Sequence, residues 1–432
     1  MAFNPKKRKI ITITYACNPY RGSEHGVGWG WIKMIAESHE IHVIAAQFEK
    51  VDIDHWLEQH PEYKSRMRFY FPRHRPWHYH KQSKAWVRIE NSPLKIIMNM
   101  AYRLWQGDAF RLAERLHQQH HFDLCHLITY VGFRFPGRFY QLDCPFIWGP
   151  IGGLENTPRH FLPLLGTYGA VYFTVRNLIN DVDRRILPGP RKAMQKAAQY
   201  KGIIAATSGI QREIRRWYGM DSTVICEIGP PAINILLSHP VRNDREPFRL
   251  CWSGEHLPRK ALQLLLMALS ELPLKTEWLL DILGDGPCRR KWQKMADKSG
   301  ILQRCVFHGR LTRDKSLEVM KNAHIFVITS LQDLTSTVLL ESLSLGVPVI
   351  APDHCGFSDV LNEKCGIKIK IKDLDNFIHQ LALHIQTLYQ DEPLRRRLAQ
   401  GALDRVNVLS WGKKRLLLEE IYQQAVHTNC KF

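Results

Sequence analysis

The chain has 432 residues, more than one hydrophobic core usually accommodates, so two domains are expected. Hydrophobic residues make up 45% and charged residues 23% of the sequence, which excludes a disordered or collagen-like protein. The formal net charge is +19. Residues 1–235 contain 32 basic and 19 acidic residues (+13), and the remaining residues contain 28 basic and 22 acidic ones (+6). This excess indicates an anionic partner such as a membrane surface, a phosphorylated substrate or a nucleic acid.

Short β-branched segments alternate with longer helical patterns along the whole chain. Apolar strands separated by helices indicate parallel sheets that are covered on both faces. We therefore predict an α/β fold of two Rossmann-like, doubly wound domains that face each other across a cleft, with ligands at the carboxyl ends of the strands. The predicted strands are 10–14, 41–45, 67–71, 124–129, 146–148, 203–207, 223–226, 250–253, 278–283, 305–308, 325–329, 347–351 and 367–371.

The alternation breaks at residues 229–247, where Pro and Asn accumulate. We place the domain boundary there, giving domains at 1–235 and 236–405. The remaining residues, 406–432, contain one more predicted helix at 409–424.

The ten cysteines contain no Cys-x-x-Cys pair, which favours buried free thiols in a reducing compartment over a disulfide framework. The first apolar run is too short and too rich in Thr for a signal peptide, and no stretch approaches the roughly 20 apolar residues of a spanning helix. A cytoplasmic protein is expected, at most lying against the inner face of the cell membrane.

The segment 325–361, IFVITSLQDLTSTVLLESLSLGVPVIAPDHCGFSDVL, reads as a strand, a polar loop, a helix beginning near Ser336 and a second strand. Thr335, Ser336 and Thr337 bring backbone N–H groups and hydroxyls to a helix N-terminus, which favours phosphate binding. The carboxylates of Asp333 and Glu341 are suited to accept hydrogen bonds from sugar or ribose hydroxyls. An ordinary turn with incidental acids is the alternative.

This stretch resembles the signature of the retaining family 4 glycosyltransferases, which have the GT-B fold: an acid, seven residues, Glu, and then Gly-x-Pro-Val-Ile. The resemblance implies that Asp333 contacts the donor sugar, that the loop amides bind the diphosphate and that Glu341 binds the nucleotide ribose. It also implies that the first domain lies on the acceptor side, the second binds the nucleotide sugar and the last helix crosses back. Asp333 replaces the commoner Glu, and residues 334–336 replace Gly-Phe-Gly.

Two further segments of the second domain resemble the family. In the strand-turn that contains Gly254, Lys260 matches the Lys that neutralises the diphosphate, although Arg259 and Lys260 could simply begin a solvated helix. The family usually has Arg where this chain has Glu255, and Arg259 is a candidate to compensate. His308 and Gly309 match the strand end whose backbone contacts the nucleotide base.

In the first domain, a glycine-rich loop follows the first strand and resembles the family's acceptor-side loop. It lacks the spacing of a dinucleotide fingerprint, which disfavours a nicotinamide enzyme. His126, at a strand end, matches a cleft-facing His beside the donor sugar, with a structural His as the alternative. The loop residues singled out are Gly22, Ser23 (also a candidate helix cap), Glu24, Gly26 and Gly28.

The segment 66–88 mixes cations with aromatic residues, and 94–105 is amphipathic. Docking on an anionic membrane is preferred over a solvated loop, and nucleic acid is not expected because no nucleic-acid module is present. The three Asp-x-Asp pairs do not follow strand ends. We expect no metal and no cofactor, since Lys260 and the helix N-terminus supply the positive charge.

The resemblance to family 4 implies a retaining hexosyltransferase, which we expect to be metal-independent. Its expected partners are a nucleotide-sugar donor and a carbohydrate or lipid-linked oligosaccharide acceptor, in cell-surface or extracellular polysaccharide synthesis. Two alternatives stay open. One is a non-catalytic GT-B scaffold or regulator that has lost donor binding, which Glu255 suggests, and the other is a basic polyanion-binding protein.

Overall fold

The computed structural model describes residues 6–73, 96–231 and 246–429. The chain forms two compact units by internal contacts. Unit 1 comprises Met1–Leu154, Val182–Ile228 and Trp411–Phe432, and unit 2 comprises Glu155–Asp181 and Gly229–Ser410. The predicted boundary between 235 and 236, and most of the basic and aromatic segment 66–88, lie outside the described residues.

Unit 1 is built on a seven-stranded parallel sheet in the order β3-β2-β1-β4-β5-β6-β7. The two central strands, KIITIT and LCHLIT, are buried except for Lys9 and consist mainly of Ile, Leu and Thr, as expected where helices cover both faces. The strands are β1 (Lys9–Thr14), β2 (Glu40–Ile44), β3 (Met67–Tyr70), β4 (Leu124–Thr129), β5 (Phe146–Ile151), β6 (Ile203–Ala205) and β7 (Thr223–Val224).

Unit 2 is built on a six-stranded parallel sheet in the order β10-β9-β8-β11-β12-β13. Each of the thirteen predicted strands is therefore confirmed, with ends that shift by at most three residues. The strands are β8 (Phe248–Ser253), β9 (Trp278–Leu283), β10 (Cys305–Gly309), β11 (Ile325–Val327), β12 (Val349–Pro352) and β13 (Gly366–Ile369).

Helices connect the strands, as parallel pairing requires. The helices are α1 (Ser23–Ala36), α2 (Lys50–Gln59), α3 (Ile96–His120), α4 (Gly166–Ile186), α5 (Pro188–Gln199), α6 (Ser208–Tyr218), α7 (Leu262–Ser270), α8 (Arg289–Lys298), α9 (Arg313–Lys321), α10 (Thr337–Ser344), α11 (Phe357–Val360), α12 (Leu374–Gln390), α13 (Glu392–Val408) and α14 (Trp411–Asn429).

Two segments depart from a simple division of the chain into halves. Residues Glu155–Asp181 belong to unit 2, where the ring of Phe161 packs edge-on against Phe377 at 5.4 Å, although the sequence placed them in the first domain. The helix α14 belongs to unit 1, where the buried ammonium of Lys414 donates to the carbonyl oxygen of Cys226 at 2.9 Å.

Within the described residues, no helix is long and apolar enough to cross a membrane. The same residues contain no group of three or more His, Cys, Asp or Glu side chains arranged to hold a metal ion.

Candidate functional site

The loop between β11 and α10 lies at the carboxyl end of the unit 2 sheet. Ser336 is the N-cap of α10 with extended backbone, and its hydroxyl makes no capping hydrogen bond. The N–H groups of a first helical turn have no partner within the helix. Thr335 and Ser336 are buried, whereas Thr337 is exposed. The loop and the helix start that the sequence predicted therefore form at these residues, and phosphate binding there stays a prediction.

The ammonium of Lys260 contacts the carboxylate of Asp333 directly. Arg259 lies 3.8 Å from the other oxygen of the same carboxylate and donates to the carbonyl oxygen of Gln332 at 3.1 Å. Lys260 is only 9% exposed, so its charge does not point into bulk water. The structure therefore brings the charged side chains of Arg259, Lys260 and Asp333 together.

Hydrogen bonds between two strand ends fix the position of Lys260. The hydroxyl of Thr329, after β11, accepts from the indole N–H of Trp252 at 3.0 Å and donates to the carbonyl oxygen of Lys260 at 2.7 Å. The amide of Leu331 donates to the carbonyl oxygen of Arg259 at 2.8 Å. Because these partners are buried or partly buried, the turn is held rigidly beside the loop.

Gly254 has a packing role in the same turn. Its carbonyl oxygen would lie 2.1 Å from a Cβ at Gly284, and Gly284 has a φ of +105°, which only Gly adopts easily. The neighbouring Glu255 side chain is exposed. The acid that replaces the family's Arg therefore points to solvent at the edge of the turn.

Two residues that the sequence analysis did not single out support the loop. The amide of Asp333 donates to the thiol sulfur of Cys355 at 3.4 Å, and the amide of Gly356 donates to the carbonyl oxygen of Leu334 at 2.9 Å. A Cβ at Gly356 would lie 1.9 Å from the hydroxyl oxygen of Thr335. No local pattern marks these contacts, because they join segments about 20 residues apart.

Glu341 lies inside α10, one turn from its start, and is half-buried. Its carboxylate accepts from Arg313 at 3.3 Å, and Arg313 is largely exposed. A ribose that binds the Glu341 carboxylate would therefore have to displace the exposed side chain of Arg313. The sequence analysis did not single out Arg313, since nothing in its own segment indicates a partner on α10.

His308 and Gly309 end β10. The His308 ring contacts Asp281 at 2.7 Å. Arg289 donates to the carbonyl oxygen of Phe307 at 3.0 Å, and its guanidinium lies against the Phe307 ring. These contacts fix the side chains around the end of β10, and base binding at this strand end stays a prediction.

In unit 1 the structure contradicts the expectation that His126 faces the cleft beside the donor sugar. The ring is fully buried, and its nitrogens contact the hydroxyl of Tyr422 at 2.7 Å and the carbonyl oxygen of Gly149 at 2.9 Å. Burial lowers the pKa of His126 to about 4. With both nitrogens engaged and no exposed surface, His126 is a structural residue that joins β4 to α14.

The glycine-rich loop forms the start of α1, although the helix cap is Gly22 rather than Ser23. The carboxylate of Glu24 accepts from the amide of Val131 at 2.8 Å, and desolvation raises the pKa of Glu24. A Cβ at Gly26 would lie 2.7 Å from the carbonyl oxygen of Arg21.

Gly28 has a different role, because a Cβ there would lie 2.1 Å from the carbonyl oxygen of Ala16. Gly28 therefore permits α1 to pack closely on the end of β1. Beside the loop, the buried Glu49 contacts the His25 ring and accepts from the side-chain amide of Asn18 at 2.7 Å. The sequence analysis did not single out Glu49.

Residues 238–405 match the family model described as Glycosyl transferases group 1. This part of the chain contains the site in unit 2 and is similar to that family.

Curated proteins match parts of the chain. The lipopolysaccharide core biosynthesis glycosyltransferase LpsE of Rhizobium meliloti is 30% identical over 34% of this chain and 41% of its own length. The lipopolysaccharide glucosyltransferase WaaG of Escherichia coli is 29% identical over 41% of this chain and 50% of its own. The sulfoquinovosyl transferase SQD2 of Arabidopsis thaliana is 26% identical over 50% of this chain and 41% of its own length. The chain thus spans about half or less of the length of these relatives.

Solved structures match almost the whole chain at low identity. The lipopolysaccharide outer core galactosyltransferase WaaB superposes with a TM-score of 0.61 at 16% identity, covering 97% of this chain and 99% of the other. Anabaena HepE in complex with UDP superposes with a TM-score of 0.57 at 15% identity, covering 96% and 98%. These likenesses establish the fold, and the predicted two-domain GT-B class is confirmed.

Proposed function

We propose that this chain is a retaining, metal-independent glycosyltransferase that moves a hexose from a nucleotide sugar to a carbohydrate acceptor. The observation that carries the proposal is the convergence of Arg259 and Lys260 on Asp333, at the start of the loop that leads into α10. The group 1 match of residues 238–405 supports the reaction class. The HepE structures with UDP and UDP-glucose support a nucleotide-sugar donor.

The chemistry follows from where charge develops. As the bond between the sugar and the diphosphate breaks, negative charge grows on the departing phosphate oxygens. Lys260, Arg259 and the amides before α10 would stabilise that charge without a metal ion. When the donor binds, its diphosphate would replace the Asp333 carboxylate as the counter-ion of Lys260. The Asp333 carboxylate would then be available to bind the sugar.

Retention implies that the acceptor attacks on the face from which the diphosphate leaves. A departing diphosphate oxygen would then take the acceptor proton, so no protein nucleophile is required. None is assigned here, which agrees with the structural role of His126.

A cell-surface or extracellular polysaccharide pathway is part of the proposal, supported by the lipopolysaccharide enzymes among the relatives. The acceptor would be carried on a lipid at the cytoplasmic face of the membrane, for which the +19 charge is suited. A scaffold without donor binding is the second candidate, and the exposed acid Glu255 at the family's Arg position is the observation that favours it.

The test measures release of nucleoside diphosphate from a panel of nucleotide sugars, with a chelator and without. We expect release from at least one sugar in both conditions, and Glu341→Ala should lower its kcat/KM by about 100-fold, since a ribose contact to a carboxylate is lost. Glu318→Ala on α9, whose side chain is exposed, is the matched control. A scaffold would release nothing from any donor, and full activity in Glu341→Ala would remove Glu341 from the site.

A further inference from the structure

The outward face of α4 is apolar along most of its length. Its side chains recur every three or four residues, which places them on one face of the helix. A helix of a soluble protein normally turns such a face to the core. The exposed members are Val171, Tyr172, Val175, Leu178, Ile179, Val182 and Ile186, between 41% and 66% exposed. We call this set the α4 stripe.

The opposite face of α4 is buried and largely polar. Phe173, Asn177 and Asn180 have the same helical spacing and are each less than 10% exposed. Asn177 exchanges two hydrogen bonds with the backbone of Thr157, at 3.0 and 2.9 Å, and Asn180 donates to the side chain of Asn156 at 3.0 Å. Rotation of the helix would break these buried bonds, so the stripe is held outward.

The exposed charges in the part of the sequence that surrounds the α4 stripe have one sign. From residue 159 to residue 192, every exposed Asp, Glu, Lys or Arg is a cation. Both acids in this span are partly covered and bonded, since Asp181 accepts from Asn156 at 3.0 Å and Asp183 is paired with Arg134. The exposed cations are Arg159, Arg185, Arg191 and Lys192.

We propose that the α4 stripe docks this protein on an anionic lipid membrane. The apolar side chains would enter the boundary between headgroups and acyl chains, and the flanking cations would contact lipid phosphates. A second copy of the chain suits the stripe less, because a two-fold contact would bring two sets of cations together. The inference rests on the membrane location in the proposed function and names a surface for it, separate from segment 66–88.

The experiment is co-sedimentation with vesicles of phosphatidylcholine containing about 30% phosphatidylglycerol, or none. Wild-type protein should partition to the anionic vesicles. The double variant Leu178→Asn/Ile179→Asn should lower the partition coefficient at least tenfold, at roughly the loss expected for two large apolar side chains. Arg185→Gln and Lys192→Gln should each lower it about fivefold, with no such loss on neutral vesicles.

The matched control is Val51→Asn/Leu274→Asn, which removes two other strongly exposed apolar side chains outside α4 and should bind as wild type does. Unchanged binding of Leu178→Asn/Ile179→Asn, or no binding of wild type to anionic vesicles, would overturn the proposal. If the wild-type protein is a dimer in the absence of vesicles and Leu178→Asn/Ile179→Asn converts it to monomers, the α4 stripe binds a second copy of the chain instead. Titration of the same variants with UDP, without vesicles, separates a failure of docking from a failure of the proposed reaction.

Discussion

At the scale of single residues, the central contact is the ion pair between Lys260 and Asp333, with Arg259 beside it. All three were predicted as site residues because the segments that contain them resemble motifs of the family 4 glycosyltransferases. The sequence could not predict that Lys260 and Asp333 contact each other, since they are 73 positions apart. It was wrong about His126, whose bond to Tyr422 joins residues 296 positions apart.

Glu255 gives a prediction that tests the charge of the pocket. Replacing this exposed acid by Arg changes the local charge by two units at the edge of the turn that carries Lys260. We expect Glu255→Arg to tighten UDP binding by about fivefold to tenfold, with an effect that weakens as salt is added. Isothermal titration measures it, and Glu318→Arg is the matched control. Equal or weaker binding in Glu255→Arg would place the diphosphate elsewhere.

At the scale of elements, the strand-loop-helix unit from β11 to α10 was predicted almost to the residue. The pattern of β-branched residues, a polar loop and a closing Gly is local, so it can be recognised in the sequence. The support from Gly356 is not local. Its amide holds the carbonyl oxygen of Leu334, and the absence of a side chain leaves room for Thr335.

We therefore predict that Gly356→Ala weakens UDP binding by at least about tenfold, because the new methyl group must displace Thr335 and the loop that follows. The melting temperature should fall by a few degrees as well. Gly412→Ala is the control, since a Cβ at that helical position meets nothing within 4 Å. Wild-type affinity in Gly356→Ala would show that the loop geometry does not control donor binding.

At the scale of the whole molecule, the sequence predicted two parallel sheets and all thirteen strands. Strand pattern is encoded locally by apolar runs, whereas membership of a unit is decided by tertiary packing. For this reason the sequence placed the residues Glu155–Asp181 in the first domain, whereas their internal contacts group them with unit 2. The buried face of α4 shows the same limit, since its Asn residues resemble surface residues until their partners are known.

Acid should destabilise unit 1 through His126. The folded-state pKa of about 4 lies below the ordinary value near 6.5, so the unfolded chain binds the proton more tightly. Stability is therefore lost as pH falls below about 6.5, by about 2 kcal/mol for this one group at pH 5. His256, also buried with a pKa lowered to about 4, adds in the same direction.

Denaturant unfolding at pH 7 and pH 5 checks this expectation with His126→Gln. The variant should be less stable than wild type at pH 7, because two buried hydrogen bonds change. Between pH 7 and pH 5, however, its free energy of unfolding should fall by about 2 kcal/mol less than that of wild type. His160→Gln, at an exposed position, should retain the wild-type pH dependence. An unchanged pH dependence in His126→Gln would mean that this ring is not held neutral by the fold.

The account depends most directly on whether Lys260 and the loop before α10 bind a diphosphate without a metal ion. Calorimetric titration of the full chain with UDP, ADP and GDP in excess chelator measures this, with Lys260→Ala beside Lys298→Ala, an exposed lysine on α8. We predict that at least one nucleotide binds, that Lys298→Ala binds it equally well, and that Lys260→Ala binds it roughly 10-fold to 100-fold more weakly. Binding that requires a divalent cation, or equal affinity in Lys260→Ala, would contradict the account.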